Sequence, residues 1–205
     1  NISKPDKIVR LLQALAYQIG EQVSYNEVGQ LIGLDSKTVE KYVDILEKNF
    51  IIFRLSSFSR NLRNELKSSR KIYFWDLGIR NAIIANFQQV ENRADTGALW
   101  ENVAIAERLK HLNIHQPFTN FWFWRTQQQR EIDFLEESDG KLDATEFKWN
   151  ARKANVRCPE AFSLHDGFPV LEKRKGDALS DDYVAHDCGR PAVGKGPGFL
   201  SDLWF

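Results

Sequence analysis

Two carboxylates and a lysine interrupt a pair of otherwise apolar segments. Asp133 lies in REIDFLEE, and Glu146 and Lys148 lie in ATEFKWN. Because successive side chains of a strand alternate between its faces, Glu146 and Lys148 share one face. By the same alternation, Asp133 faces away from Ile132 and Phe134. If the two strands pair, we expect the three polar side chains to converge on one face.

Such a cluster suits a divalent metal. Asp133 and Glu146 offer hard oxygen ligands for Mg²⁺, which usually keeps several of its waters. Lys148 beside the metal can orient or deprotonate a water and offset charge at a scissile phosphate. Glu101, in ALWENVA upstream, can supply a further carboxylate. The alternative is a surface ion pair between Glu146 and Lys148, worth less than about 1 kcal/mol.

The segments around this group predict an α/β unit over about 90–150. GALWENVAIAERLKHL has the apolar spacing of an amphipathic helix. NFWFWRT and the two segments quoted above read as three strands, the last two joined by a turn at 136–140.

The aromatic strand predicts a buried position in the sheet. Alternation places Phe121 and Phe123 on one face and Trp122 and Trp124 on the other. Such a strand fits burial on both faces better than it fits a platform on which single-stranded bases stack.

The first 75 residues predict a winged helix. Apolar spacing gives a helix at 7–19, and SYNE, with Ser24 and Glu27, is a capping box for the second helix. Gly33 ends the second helix, and Asp35 or Ser36 caps the third. Two strands, IIFRLSSF and IYFW, flank the basic stretch SRNLRNELKSSRK. This order is typical of a winged helix with a helix-turn-helix.

Basic and hydroxyl residues of the third helix and of the wing are candidate phosphate contacts for duplex DNA. They are Lys37, Thr38, Lys41, Arg60, Arg63, Lys67, Arg70 and Lys71. Nearby acidic residues dilute the positive charge. Winged helices also serve as protein-interaction modules or spacers, and this alternative stays open.

Composition narrows the class of protein. The 205 residues are 42% hydrophobic and 27% charged with a formal net charge of zero, so nothing attracts the whole chain to nucleic acid or membrane. No stretch approaches the roughly 20 apolar residues of a membrane helix. Cys158 and Cys188 lie far apart and offer no metal spacing. A reducing cytoplasm is the default expectation for such a chain. The absence of methionine predicts a fragment of a longer chain.

Residues 151–205 differ from the rest. They hold four of the six prolines and six of the twelve glycines, which predicts an irregular tail. GRPAVGKG at 189–196 nearly matches a phosphate-binding loop, but Gly196 replaces the Mg²⁺-binding hydroxyl residue. No apolar strand precedes it, so we do not expect ATP to bind there.

The spacing D-x₁₂-E-x-K resembles the PD-(D/E)XK nuclease-like superfamily. A wider series of motifs over roughly 5–150 resembles the C-terminal half of a family of bacterial and archaeal AAA-type ATPases. It includes KIYFWDLGIRNAII, GALWENVAIAERL, FWRTQQQREIDFLEE and ATEFKWN. The resemblance implies nuclease-like positions at Glu101, Asp133, Glu146 and Lys148, without implying cleavage. ATP would be bound only by an N-terminal module that is not in this chain. The tail lacks the expected helix and strand, as a divergent or frameshifted end would.

We therefore predict a mixed α/β protein with a winged helix at 1–75 and a PD-(D/E)XK-like domain at 76–205, irregular from about 151. The predicted function is the DNA-associated C-terminal region of an AAA-type ATPase, with Mg²⁺-dependent cleavage of double-stranded DNA. The predicted partners are duplex DNA and the chain's own ATPase domain. The alternative is a non-catalytic module that tethers or gates the ATPase. A transcription factor would leave the second domain without a role.

Overall fold

A computed structural model describes residues 5–59, 69–126, 130–138 and 140–149, and the backbone of 184–187. It confirms a mixed α/β protein. The helices are α1 (Pro5–Tyr17), α2 (Tyr25–Ile32), α3 (Ser36–Lys48), α4 (Leu77–Ile83) and α5 (Thr96–His115), with a 3₁₀ turn at Val90–Asn92. The strands are β1 (Gln22–Val23), β2 (Ile52–Ser56), β3 (Arg70–Phe74), β4 (Asn120–Arg125), β5 (Glu131–Ser138), β6 (Lys141–Lys148) and β7 (Val184–Asp187).

The helix boundaries in the first half follow the predicted caps. Ser24 accepts a hydrogen bond from the backbone N–H of Glu27, and Asp35 accepts one from Thr38 at 3.0 Å. Gly33 ends α2 with a φ of 70°, a left-handed conformation that a side chain would strain. Buried faces of α1, α2 and α3 then form one core with Ile52 and Phe74.

The first sheet joins the two halves of the protein. Its antiparallel strands lie in the order β1-β3-β2. One face of β2 and β3 packs on the helical core, whereas Phe53, Leu55 and Tyr73 on the other face pack into a second core with α5 and the second sheet. The two predicted domains therefore share buried apolar surface.

The second sheet has the antiparallel order β4-β5-β6-β7, and α5 covers one of its faces. Phe121 and Phe123 pack on the α5 side, while Trp122 and Trp124 pack in a cluster on the opposite side. The predicted alternation of this strand is confirmed.

The turn between β5 and β6 is shorter than predicted. Glu136 pairs with Asp143 inside the ladder, and the strands continue to Ser138 and from Lys141. Gly140, with a φ of 72°, supplies the left-handed residue of the tight turn. The prediction of a turn beginning at Glu136 is wrong.

An extra residue in β5 changes the direction of one side chain. Trp122 pairs with Leu135 and Trp124 pairs with Ile132, so β5 advances three residues where β4 advances two. A bulge of this kind re-aims a side chain. Ile132 packs on the side away from α5, whereas both Phe134 and Asp133 face α5. The prediction that Asp133 faces away from Phe134 is therefore wrong.

The tail contains at least one regular element. β7 pairs antiparallel with β6, with Glu146 opposite His186 in the backbone register. The prediction of an irregular tail is corrected for these four residues. The rest of 151–205, both cysteines and the segment 189–196 lie outside the described residues. Among the described helices, none combines the length and apolar character that a membrane crossing requires.

Candidate metal centre

Three carboxylates meet where α5 crosses the second sheet. Glu101 comes from the second turn of α5, and Glu131 and Asp133 come from β5. One oxygen from each lies within 4.8 Å of the other two. We call Glu101, Glu131 and Asp133 the carboxylate cluster. Oxygens at this separation can share one cation.

The neighbouring strand β3 reaches into this cluster. Lys71 places its Nζ 3.0 Å from Oε1 of Glu101 and also pairs with Glu131. The hydroxyl of Tyr73 donates to the same Oε1 at 2.6 Å. Because residues two apart in a strand share a face, one face of β3 supplies both groups. Lys71 is 1% exposed and Tyr73 is fully buried.

Burial and like charge perturb Asp133 strongly. Its burial, followed by the charge of Glu101, raises the pKa of this carboxyl from 3.8 to about 7. The N–H of Phe147, which donates to Oδ2 at 2.8 Å, and the charges of Lys71 and Lys148 act in the opposite direction. Asp133 is therefore much easier to protonate than an ordinary aspartate.

The lysines respond to the same carboxylates. Burial lowers the pKa of Lys71, but Glu101 and Glu131 together outweigh it, so its pKa is raised. Burial also lowers the pKa of Lys148, but the hydrogen bond to Glu146 and the charge of Asp133 outweigh it, so this pKa is raised too. Both lysines are therefore cationic at neutral pH.

Glu146 and Lys148 lie beside the carboxylate cluster. They pair with each other at 2.5 Å, with side chains 20% and 42% exposed. Glu146 is outside the group of three mutually close carboxylates, although Lys148 is near enough to affect the pKa of Asp133. The structure thus brings Asp133 together with Glu101 and adds Glu131, while the predicted ligand role of Glu146 stays a prediction.

Sequence reasoning missed three residues of this site. Glu131 stands two positions before Asp133 in REIDF, a spacing that suggests a shared face. Lys71 and Tyr73 have the same spacing in KIYF, but no local signal connects them with a helix some 30 residues later. Their role follows from the packing of β3 against α5.

The predicted DNA contacts fall into different environments. Lys37 and Lys41 are exposed on α3, whereas the hydroxyl of Thr38 donates to Asp35 at 2.6 Å. Arg70 lies 3.6 Å from Glu40 and over the ring of Tyr25. Arg60, Arg63 and Lys67 lie outside the described residues.

Lys71 requires a correction. Its ammonium is buried in the carboxylate cluster and cannot reach a phosphate on the protein surface. We therefore remove it from the candidate DNA contacts.

Two family models match successive parts of the chain. Residues 1–91 match the family described as "Domain of unknown function (DUF8612)", and residues 96–173 match "Domain of unknown function (DUF4143)". The second family is known to occur in proteins associated with AAA-type ATPases. Lys71 and Tyr73 fall in the first match, and the carboxylate cluster falls in the second.

Three relatives resemble part of the chain. The proteins Rv2008c of Mycobacterium tuberculosis and Mb2031c of Mycobacterium bovis, both called uncharacterized, are each 27% identical over 136 residues. This covers 65% of this chain and 30% of each relative. The uncharacterized protein MJ1637 of Methanocaldococcus jannaschii is 29% identical over 98 residues, or 48% of this chain and 20% of the relative. The chain thus spans under a third of the length of these relatives. No solved structure matches the chain significantly.

Proposed function

We propose that this chain is the DNA-associated C-terminal region of a cytoplasmic AAA-type ATPase and carries a Mg²⁺-dependent nuclease site. The observation that supports this proposal best is the convergence of Glu101, Glu131 and Asp133 beside Lys148. The known association of the second matched family with AAA-type ATPases supports the same context.

The donor set fits a hard divalent cation. Three carboxylates offer only oxygen, and one oxygen of each lies within 4.8 Å of the other two, so a small closure of the side chains would let one ion contact all three. Glu101, Glu131 and Asp133 would hold Mg²⁺, with Glu146 as the further ligand that the sequence pattern implies. When bound, the ion would supply positive charge at the scissile phosphate.

Side chains and a backbone N–H of the chain itself would position the phosphate, the attacking water and the metal ligand Asp133. Lys148 is cationic and partly exposed, so its ammonium can meet a phosphate oxygen and orient the attacking water. Glu146 holds that ammonium in position. The N–H of Phe147 fixes Asp133 by donating to Oδ2, which leaves Oδ1 of Asp133 for a ligand.

Duplex DNA is the proposed substrate. Lys37 and Lys41 on the exposed side of α3 are the described residues best placed to meet phosphates. Because the net charge is zero and only a few basic residues face the phosphates, we expect weak binding whose salt dependence follows the number of phosphates contacted.

A second candidate function has its own support. Lys71 already neutralises part of the carboxylate cluster and links the two halves of the chain. In this case the chain is a non-catalytic module that tethers or gates the ATPase, and the cluster is a structural ionic joint.

A plasmid-nicking assay separates the two functions. Supercoiled plasmid is incubated with the chain and Mg²⁺ or Mn²⁺, beside the variants Asp133→Ala and Glu146→Ala. Glu107→Gln, on α5 and paired with Lys110 away from the carboxylate cluster, is the control for loss of one carboxylate. We expect metal-dependent nicking by the parent chain and the control, and a loss of at least 100-fold in both site variants.

Two results would favour the gating module. One is nicking that survives both site substitutions, because the activity would then come from elsewhere. The other is absence of nicking by both this chain and the full-length protein with ATP.

A further inference from the structure

Lys71 occupies an unusual place for a lysine. Its ammonium is almost fully buried, lies against two carboxylates and sits 5.5 Å from the centre of the Phe123 ring. Lysine is rarely buried unless its charge is paired. The backbone of β3 fixes this position, since Lys71 pairs with both Gln22 and Leu55 in the sheet.

The ammonium uses oxygens that a metal would need. Lys71 contacts Glu101 and Glu131, two of the three members of the carboxylate cluster. Arg125 adds a second cation, 3.2 Å from Glu131. A divalent ion added to these two cations would give the group a net positive charge in a buried place, where like charges repel strongly.

Resting on the proposed metal centre, we infer that Lys71 is an internal counter-ion that competes with the divalent cation. The metal and the ammonium of Lys71 bind the carboxylate cluster alternately. Metal binding therefore requires Lys71 to withdraw, which loosens the contact between β3 and α5. Because these elements belong to different matched domains, occupancy of the site is coupled to how tightly the two domains dock.

Binding of Mn²⁺ to the 205-residue chain tests this inference. Free Mn²⁺ is measured by electron paramagnetic resonance with the parent chain, Lys71→Met and Lys110→Met. Methionine keeps the unbranched apolar stem and most of the length of lysine and removes the charged end. Lys110 is a matched control, because it is half-exposed and pairs with Glu107 on its own helix.

We expect Lys71→Met to bind Mn²⁺ at least ten-fold more tightly than the parent chain. Lys110→Met should match the parent chain. Adding Glu131→Gln to Lys71→Met should abolish the gain, which would locate the metal in the carboxylate cluster.

A chemical measurement on the parent chain tests the same inference without relying on the folding of Lys71→Met. Reductive methylation followed by mass spectrometry reports how often the amine of Lys71 is accessible. We expect saturating Mn²⁺ to accelerate methylation of Lys71 at least ten-fold and to leave Lys110 unchanged.

The outcomes distinguish the inference from the proposed function. Equal Mn²⁺ affinity in the parent chain and Lys71→Met would overturn the competition and leave the metal centre standing. Unchanged methylation of Lys71 at full Mn²⁺ occupancy would do the same. Absence of Mn²⁺ binding in both proteins would overturn the metal centre itself, and the inference with it.

Discussion

Two buried ion networks in this protein have opposite charge balance. In the arginine network, defined as Arg80, Arg93 and Asp95, two guanidiniums share one carboxylate at 2.6 and 2.8 Å. In the carboxylate cluster, Lys71 pairs with two of the three carboxylates, Glu101 and Glu131. Both networks tie together elements that are distant in sequence, the first through the hydrogen bond from Arg80 to the carbonyl of Ala16, so both contribute to the fold.

The networks differ in how their surplus groups are satisfied. Spare N–H groups of the arginines donate to the backbone carbonyls of Ala16 and Asn86. Asp95 is stabilised first by its hydrogen bond from Arg93, and its pKa falls to about 2. Asp133 instead has its pKa raised to about 7. An arrangement with surplus buried carboxylate costs stability, and this cost is expected where a site is built to receive a cation.

The largest expected effect comes from breaking the arginine network. Asp95→Asn leaves two buried guanidiniums without an anionic partner. Loss of one member of a buried pair costs roughly 3–5 kcal/mol, and we expect the lower end because the Asp95 side chain is 28% exposed. Urea denaturation at pH 7 measures this loss.

A result below about 1 kcal/mol would show that the arginines do not depend on Asp95, and the contrast between the networks would fail. Asp76→Asn is not a suitable control because Asp76 caps α4, whereas Glu107→Gln on the surface of α5 is suitable.

Removing a charge from the carboxylate cluster should have the opposite effect on stability. The folded-state pKa of Asp133 is about 7, above its ordinary value of 3.8, so the folded state binds more protons between these values. The stability that comes from the protonated form is complete below about pH 4 and is lost as the pH rises through 7. Asp133→Asn removes this titration, so we expect it to stabilise the metal-free chain at pH 8 and to be nearly neutral at pH 4.

The expected gain at pH 8 is roughly 2 kcal/mol. A shift from 3.8 to about 7 corresponds to about 4 kcal/mol at most, at 1.36 kcal/mol per pKa unit. The neutral amide accepts a weaker hydrogen bond from the N–H of Phe147 than the carboxylate does, which offsets part of this gain. Urea denaturation of both proteins in EDTA from pH 4 to 8 provides the measurement. Parallel pH curves for the parent chain and Asp133→Asn would contradict it.

Local sequence signals predicted the elements well. Ser24 and Asp35 mark helix starts because their side chains accept from the first turn, and Gly33 marks an end because it tolerates a left-handed φ. The alternation of phenylalanine and tryptophan in β4 fixed its two faces. These features depend on neighbours within a few residues.

The candidate site was harder to predict because it depends on pairing between distant elements. The extra residue that turns Asp133 toward α5 exists only relative to β4 and has no signature of its own in EIDF. Lys71 is the last residue of a basic stretch, which made a solvent-exposed wing the natural interpretation. Its burial depends on Glu101, 30 residues later, and thus on the docking of β3 against α5.

The smallest effect on stability is expected for an ion pair that belongs to neither network. Arg108 on α5 and Glu136 on β5 form a two-point ion pair, with a 2.8 Å contact between Nε and Oε2, and their side chains are 36% and 13% exposed. Because water reaches the arginine, Arg108→Met should cost only about 0.5–1 kcal/mol, and the cost should shrink in 0.5 M salt. Urea denaturation at low and high salt checks both statements. A cost of 3 kcal/mol or more would mean that any ion pair between α5 and the second sheet is strongly stabilising. The charge surplus would then no longer explain why Asp95→Asn and Asp133→Asn act in opposite directions.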